Sequence, residues 1–336
     1  MVCSEETRTR VSKSVASALE EGIAIVSRPF EDIARRLGVS ESEVLRIARL
    51  QRDSGFLRHF GPFLDFRSFG KKGYLFGLSS PRGRTEDFAS YVSGLPSVTH
   101  SYRRDHRLDL WFTAILGGRD SAETFCETLR GMGLEFIALD SGRRIKLRTS
   151  FAISRPLATE DKPEETEPAF CRLDAEQLSL ITALQDDIDL VPRPFARVAD
   201  AEGTSEDSVI EGVRRLMSGG ALRRIGASVD HRRAGYTCNS LTAWDLSGMS
   251  DESATALAKR ATAARPWASH CYLRRIIFSN AALSWPYNLY IMIHASNDPE
   301  MAERERLLGR DLGSADFVSL RTLEEYKKVP YRYVPE

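Results

Sequence analysis

The sequence lacks the features that would place it in a membrane, in a disulfide-bonded scaffold or on a strongly charged surface. It has no run of about 18 apolar residues, so no membrane-spanning helix is predicted. Its five cysteines form no C-x-x-C pair, which indicates neither a disulfide framework nor a structural zinc site. Lys+Arg and Asp+Glu both number 47, so the chain as a whole has no electrostatic attraction to DNA or to anionic membranes. Residues 1–10 are polar and charged, unlike the apolar core of a signal peptide, and a cytoplasmic protein is expected.

What the sequence does contain is an internal repeat. The triplet Arg28-Pro29-Phe30 returns as Arg193-Pro194-Phe195. The separation between matched residues grows along the chain, which indicates loop insertions in the second copy. The later matches are His100, Tyr102, Arg104 and Lys146 in the first copy, and His270, Tyr272, Arg274 and Lys327 in the second. We therefore expect a duplicated or fused protein of two similar halves.

Each half is predicted to begin with three helical segments in a helix-turn-helix (winged-helix-like) arrangement. Pro29 and Pro194 fall at helix starts, where a missing N–H costs nothing, and Ser40 with Glu43 fits a capping box. The rest of each half follows the order strand, helix, strand, strand, helix, strand of a ferredoxin-like βαββαβ unit. The predicted fold class is α+β, with helix-turn-helix domains over 1–66 and 169–231, ferredoxin-like domains over 67–153 and 232–336, and a linker rich in Pro and Glu over 154–168.

One face of each predicted four-stranded sheet has no helices to cover it. Because an apolar sheet face must be buried against another layer, the matching sheet of the other half is the expected cover. The chain would then be a pseudo-dimer with a cavity or cleft between its halves. A further homodimer of two chains stays open.

A helix-turn-helix domain followed by a ferredoxin-like domain is the layout of feast/famine (leucine-responsive, Lrp/AsnC-like) transcription regulators. The first turns of the candidate recognition helices, however, contain Glu41, Glu43, Glu206 and Asp207. Carboxylates at these positions repel the DNA backbone, so DNA is not the expected partner. A regulator that responds to haem or a porphyrin is the alternative that this layout leaves open.

Two strand-like blocks of the second half concentrate more polar and aromatic side chains than a core requires. They are His270-Cys271-Tyr272-Leu273-Arg274 and Trp285-Pro286-Tyr287-Asn288-Leu289-Tyr290, and residues 100–106 form a weaker copy. Together with Arg223-Arg224 and Gly235-Tyr236, these blocks resemble the siroheme decarboxylases, whose two subunit types the two halves resemble in turn. Two dipeptides of the first half depart from the family pattern, Arg58-His59 and Leu108-Asp109. They leave open which half keeps a working site.

The resemblance implies that siroheme is the substrate, and that two of its acetate carboxylates leave as CO2 to give didecarboxysiroheme on a route to haem d1 or haem. It implies no cofactor and no metal beyond the iron of the tetrapyrrole itself. Loss of CO2 leaves electrons on a methylene carbon that must be protonated, and histidine, with an unperturbed pKa near 6.5, is the expected donor. The catalytic candidates are His100, His106, His231 and His270. An iron-ligating role for one of them stays open, and His294 is expected to be structural.

The many carboxylates of siroheme require cations, and its flat ring favours aromatic neighbours. Arginine can bind a carboxylate through two parallel hydrogen bonds. Aromatic residues can pack against the ring, although in strands they are more often core residues. The candidates for substrate binding are Arg104, Lys146, Arg224, Tyr236, Asn239, Trp244, Tyr272, Arg274, Trp285, Asn288 and Lys327.

Overall fold

The computed structural model describes residues 5–147, 173–230, 232–313 and 316–333. The predicted linker over 154–168 and the candidate His231 lie outside these residues. The chain divides into two compact units. We call the described parts of 5–69, 173–234 and 331–333 the helical unit, and those of 70–147 and 235–330 the sheet unit. Each unit therefore takes material from both halves of the repeat.

The predicted helices and strands occur in the predicted order in both halves, and additional strands lie at 57–64, 222–229 and 276–279. The first half contains α1 (Glu5–Glu21), α2 (Pro29–Leu37), α3 (Glu41–Asp53), β1 (Leu57–Leu64), β2 (Lys72–Ser79), α4 (Thr85–Gly94), β3 (Val98–Arg104), β4 (Leu110–Leu116), α5 (Arg119–Gly131), β5 (Glu135–Leu139) and β6 (Arg143–Leu147). The second half contains α6 (Ala175–Leu184), α7 (Pro194–Glu202), α8 (Glu206–Ser218), β7 (Leu222–Val229), β8 (Cys238–Trp244), α9 (Asp251–Ala263), β9 (Ala268–Leu273), β10 (Ile276–Ser279), β11 (Leu289–Ala295), α10 (Asp298–Leu312) and β12 (Phe317–Lys328). No helix among the described residues is both long and apolar enough to cross a membrane.

The helix ends are set by local sequence signals. Ser40 caps α3 by accepting the backbone N–H of Glu43, and Ser205 caps α8 in the same way. Pro29 begins α2, and Gly38 ends it in the left-handed conformation that glycine adopts without strain. These signals explain why the helix-turn-helix elements could be predicted.

The helical unit is held together across the repeat by the antiparallel pairing of β1 with β7. The pairing was not predicted, and it joins the two helix-turn-helix domains around one core that includes Phe30, Phe60 and Phe195. A matched pair of hydrogen bonds repeats across this junction. Arg49 of α3 donates to the carbonyl of Leu190 at 2.7 Å, and Arg214 of α8 donates to the carbonyl of Ile25 at 2.9 Å.

The acidic first turns of α3 and α8 also have partners inside the helical unit. Arg28 pairs with Glu41, and Arg193 pairs with Glu206 at 2.5 Å. Ser27, from the first half, donates a further hydrogen bond to Glu206 at 2.9 Å. The helices that would read DNA in a regulator therefore have charged side chains engaged in contacts within the chain.

The sheet unit contains one ten-stranded sheet in the order β10-β5-β2-β4-β3-β12-β8-β11-β9-β6. The segments β5-β2-β4-β3 and β12-β8-β11-β9 are the two ferredoxin-like sheets, which confirms the predicted fold class. Strand β12 joins them, because its first part pairs with β8 and its last part pairs with β3. The last strand of the predicted βαββαβ order is divided in the first half, so that β5 pairs with β2 and β6 pairs with β9 of the other half.

Each ferredoxin-like sheet has its own helix-covered core, and the two opposite faces share a third one. The shared core contains large side chains from both halves: Leu75, Leu108, Trp111, Ile137 and Leu139 from the first, and Leu241, Trp285, Tyr290 and Leu320 from the second. The halves thus cover each other's inner faces, as expected. These side chains fill the region between the two inner faces, where the cleft was expected.

An ion pair across the helical unit gives a test of this packing. Arg58 donates to Asp230 at 2.6 Å, and the Asp230 side chain is only 12% exposed. Burial raises the pKa of Asp230, but the hydrogen bond from Arg58 and the backbone N–H groups nearby outweigh it, so the pKa is lowered. Arg58→Ala should reduce the free energy of unfolding by about 1–3 kcal/mol, because it leaves a largely buried carboxylate without its cation. The urea midpoint measures this change.

The same carboxylate predicts a pH dependence. A carboxyl group whose pKa is lowered by folding stabilises the protein above its unfolded pKa of about 4, and that contribution is lost as the pH falls through the folded value. The difference between wild type and Arg58→Ala should therefore shrink below about pH 4. Arg197→Ala is the control, because its pair with Asp189 is exposed. Equal midpoints for the Arg58 and Arg197 variants would contradict the assignment.

Candidate functional site

The two His-x-Tyr-x-Arg motifs lie on matching strands of the sheet unit. Tyr102 on β3 is directly opposite Trp111, and Tyr272 on β9 is directly opposite Tyr290. Directly opposed residues of antiparallel strands share a face of the sheet. Because Trp111 and Tyr290 belong to the core shared by the halves, both tyrosines lie on the faces that the halves turn toward each other.

In each motif the arginine is fixed by contacts of the same kind. The Arg104 guanidinium lies 4.9 Å from the centre of the Tyr102 ring, and that of Arg274 lies 4.7 Å from the Tyr272 ring. Each also donates to a backbone carbonyl of the other half: Arg104 to Leu320 at 2.9 Å, and Arg274 to Asp140 at 2.6 Å. Burial lowers the pKa of Arg104 to about 10 and lowers that of Arg274 as well. The Arg104 guanidinium therefore remains charged at neutral pH.

The residues opposite the two tyrosines differ in charge. Arg144 on β6 is opposite Tyr272, whereas Glu325 on β12 is opposite Tyr102. Lys328, opposite His100, adds one cation to the first motif. The surroundings of the second motif are therefore the more favourable for an anion.

His270 is linked to a second imidazole through a hydroxyl group. The Ser269 Oγ lies 2.8 Å from His270 Nδ1 and 2.8 Å from His294 Nε2. Ser269 and His294 are buried, while His270 is partly exposed. His294 was expected to be structural, and the sequence gives no sign of the bridge because the two imidazoles come from different strands.

His100 has a different environment. Its Nδ1 lies 3.0 Å from the Thr99 hydroxyl. Burial, with a smaller effect of the Lys328 charge, lowers the pKa of His100 to about 4, although Glu325 acts in the opposite direction. At pH 7 only about one molecule in a thousand would have this imidazole protonated.

His106 lies in the loop between β3 and β4. Its Nδ1 accepts the backbone N–H of Leu108 at 3.0 Å, so the neutral ring has its proton on Nε2. The ring of Trp285 lies 5.5 Å away, and burial lowers the pKa of His106. Trp285 in turn donates to the Tyr290 hydroxyl at 2.7 Å and contacts Trp111, so it fills the centre of the shared core.

Several candidates for substrate binding have structural partners instead. Trp244 is fully buried on the helix-covered face, stacked on Phe317 with ring centres 4.3 Å apart. Asn288 accepts the backbone N–H of Leu246 at 2.9 Å, as Asp109 accepts that of Ser80 in the first half. Each of the two side chains therefore has a structural role, and their predicted contacts with substrate remain predictions.

The two candidate lysines reach the ends of helices in the opposite half. Lys327 donates to the carbonyl of Leu95 after α4, and Lys146 donates to that of Arg265 after α9, both at 2.9 Å. A cation at a helix C-terminus is stabilising. The structure therefore gives both lysines a role in joining the halves, and their predicted binding of substrate remains a prediction.

The remaining candidates lie near these groups or in the helical unit. Asn239 accepts a hydrogen bond from Thr322, which also bonds Arg104. The Tyr236 ring lies 6.1 Å from that of His294. Arg224 belongs to the helical unit, where its guanidinium lies 3.7 Å from the centre of the Phe63 ring. No group of three or more His, Cys, Asp or Glu in the described part of the chain is placed to hold a metal ion.

Comparison with known proteins defines the class. Residues 12–58 and 178–223 match the siroheme decarboxylase NirDL-like HTH domain, and residues 233–327 match the AsnC-like ligand binding domain. The crystal structure of the siroheme decarboxylase NirDL superposes with a TM-score of 0.72 at 22% identity, over 97% of this chain and 94% of that one. The protein thus pairs helix-turn-helix domains with AsnC-like ligand-binding domains.

The relatives identify the family within that class. The siroheme decarboxylase NirDL subunit of Paracoccus pantotrophus is 31% identical over 318 residues, which is 93% of this chain and 90% of the relative. The siroheme decarboxylase of Hydrogenobacter thermophilus is 27% identical over 327 residues, which is 96% of this chain and 94% of the relative. The chain belongs to the siroheme decarboxylase family, as its motifs indicated, and it is a carboxy-lyase.

The environment of His100 predicts an unusual titration. In NMR spectra the imidazole of His100 should become protonated only near pH 4, because burial and Lys328 disfavour its charged form. Lys328→Gln should raise this midpoint, since it removes a nearby positive charge. A wild-type midpoint near the ordinary 6.5 would show that the ring is solvated.

Proposed function

We propose that this enzyme is a siroheme decarboxylase that removes two acetate carboxylates of siroheme as CO2, giving didecarboxysiroheme, with histidine as the proton donor. The observation that carries the proposal is the β9–β6 pairing, which puts an arginine on the same sheet face as His270, two positions along β9 from it. His270 and Tyr272 on β9 face the same side, and Arg144 is opposite Tyr272. Proximity of a proton donor and a carboxylate-binding group is what this reaction requires.

The chemistry assigns separate tasks to the two groups. When the bond between the methylene carbon and the carboxylate breaks, its electron pair moves toward the pyrrole, and CO2 leaves. The methylene then takes up a proton and becomes a methyl group, so each CO2 released consumes one proton. An arginine that holds the other carboxylates in register leaves the histidine free to deliver that proton.

The charges opposite the two tyrosines and the low pKa of His100 favour the second half as the productive one. The residue opposite Tyr272 is the cation Arg144, whereas the residue opposite Tyr102 is the carboxylate Glu325. The Asp140 carboxylate of the second motif acts on Arg274. A substrate with many carboxylates is repelled by Glu325. His100, with a pKa of about 4, is also poorly suited to deliver protons at neutral pH, because its acid form is scarce.

The helix-turn-helix domains are proposed to act as a scaffold rather than as a DNA reader. Arg49 and Arg214, which lie on the candidate recognition helices, bond to carbonyls of the opposite half. Guanidinium groups that bond to these carbonyls are directed toward the chain itself, and the neighbouring carboxylates oppose DNA.

Two pairs of matched variants test the proposal on iron-siroheme under anaerobic conditions. His270→Ala should lower kcat about 100-fold or more, because it removes the proton donor, and His100→Ala should lower it by less than about tenfold. Arg144→Gln should raise KM about 10- to 100-fold, the value of a charge-assisted hydrogen bond, while Glu325→Gln should not raise it. Mass spectrometry of the tetrapyrrole and the CO2 released measure the rates.

The possible results distinguish whether the protein decarboxylates siroheme at all from which half of the chain holds the productive site. If the wild-type protein releases no CO2 from iron-siroheme, the proposed substrate is wrong. If it does, but His100→Ala and Glu325→Gln are the damaging variants, the first half holds the productive site.

A further inference from the structure

Ser269 and His294 form a buried extension behind His270. The Ser269 hydroxyl lies within hydrogen-bond distance of both imidazoles, 2.8 Å from each. Ser269 is 3% exposed and His294 is 6% exposed, while His270 itself is partly exposed. The chain of groups therefore runs from the partly exposed ring of His270 into the interior of the sheet unit.

A hydroxyl group between two imidazoles couples their protonation. It has one hydrogen, so it donates to one ring nitrogen and accepts from the other. If Ser269 donates to His270 Nδ1, the proton of neutral His270 must be on Nε2, and His294 Nε2 must be the donor to Ser269. The same two bonds also fix the orientation of both rings.

The first half shows what the bridge adds. There the Thr99 hydroxyl lies 3.0 Å from His100 Nδ1, so a histidine and a hydroxyl in contact with it are present, as in the second half. His100 is opposite Thr113 and His270 is opposite Met292, which makes Ile115 the counterpart of His294. The second imidazole therefore exists only in the half that we propose to be productive.

We infer that Ser269 and His294 are positioning residues for His270 and relay a proton to it during decarboxylation. The inference rests on the proposed function, in which His270 donates one proton for each CO2 released. The relay would supply that proton to His270 through the Ser269 hydroxyl.

The transfer balances as a shift of three protons. It begins with His294 protonated on both nitrogens and His270 protonated on Nε2. His270 gives its Nε2 proton to the methylene carbon, receives the Ser269 proton on Nδ1, and Ser269 receives the Nε2 proton of His294. Both histidines end neutral, the hydroxyl is restored, and the substrate has gained one proton.

Substitutions of Ser269 and Thr99 separate this role from simple packing. Ser269→Ala should lower kcat about 10- to 100-fold with little change in KM, because it removes the bridge but no group that binds substrate. Ser269→Thr should have a kcat close to that of the wild type, since threonine keeps the hydroxyl group and is the residue that the first half has at the corresponding position, Thr99. Thr99→Ala, the matched control, removes the corresponding hydroxyl and should change kcat less than about twofold.

His294→Gln separates orientation from proton transfer. A glutamine amide can still donate to Ser269, but it cannot release a proton. The variant should therefore lose kcat as Ser269→Ala does. In mixtures of H2O and D2O, the rate of the wild type should depend non-linearly on the deuterium fraction, because several protons move together, and both variants should show a linear dependence.

A measurement without turnover checks the hydrogen bonds themselves. In ¹⁵N NMR spectra of the substrate-free protein, Ser269→Ala should shift the ring resonances of both His270 and His294. Unchanged resonances would show that the bridge does not exist in solution. This result is obtained even if a variant is inactive for another reason.

The relay is overturned if Ser269→Ala keeps the wild-type kcat, or if Ser269→Thr is as impaired as Ser269→Ala. Wild-type activity in His294→Gln would remove the proton-relay role. In each case a wild-type enzyme that still releases CO2 leaves the proposed function intact. A wild-type enzyme that releases none refutes the proposed function instead.

Discussion

The sheet unit depends on a reciprocal exchange of strand ends between the two halves. The last part of β12 pairs with β3 of the first half, and β6 pairs with β9 of the second. Lys327 and Lys146 reinforce the exchange, because each follows its strand into the other half and bonds to the end of a helix there. Each His-x-Tyr-x-Arg motif therefore has a neighbouring strand from the opposite half. Neither half alone could supply both the motif and the charged residue opposite its tyrosine, which is Glu325 for Tyr102 and Arg144 for Tyr272.

Duplication first makes such a pair of environments equal, and later substitutions make them differ. Both halves have an arginine stacked on a tyrosine. Both also have a polar side chain that accepts a backbone N–H just after a strand: Asp109 after β2 and Asn288 after β8. What differs is chemistry rather than architecture. Glu325 stands where the second half has Arg144, and Ile115 stands where it has His294. The scaffold is thus maintained on both sides, while Arg144 and the His294 imidazole lie beside the second motif.

Much of the fold could be predicted from sequence, because helix caps and the repeat are local signals. Ser40, Pro29 and Gly38 mark their helix ends without reference to the rest of the chain. The β1–β7 pairing and the division of β5 from β6 could not be predicted, since they depend on which strand of the other half lies alongside. The same limit applies to side chains. Trp244 occurs in a motif that favours a ligand contact, yet it is a core residue, because the pattern does not say which face of β8 its ring occupies.

If His270 and Arg144 act as proposed, the tetrapyrrole must bind beside β9 and β6. The most direct measurement is a crystal structure of this protein with an unreactive iron porphyrin that bears acetate side chains. We predict that the macrocycle has carboxylates within hydrogen-bond distance of Arg144 and an acetate carbon within reach of His270. A macrocycle bound beside Glu325 and His100, with Arg144 and His270 out of contact, would contradict it.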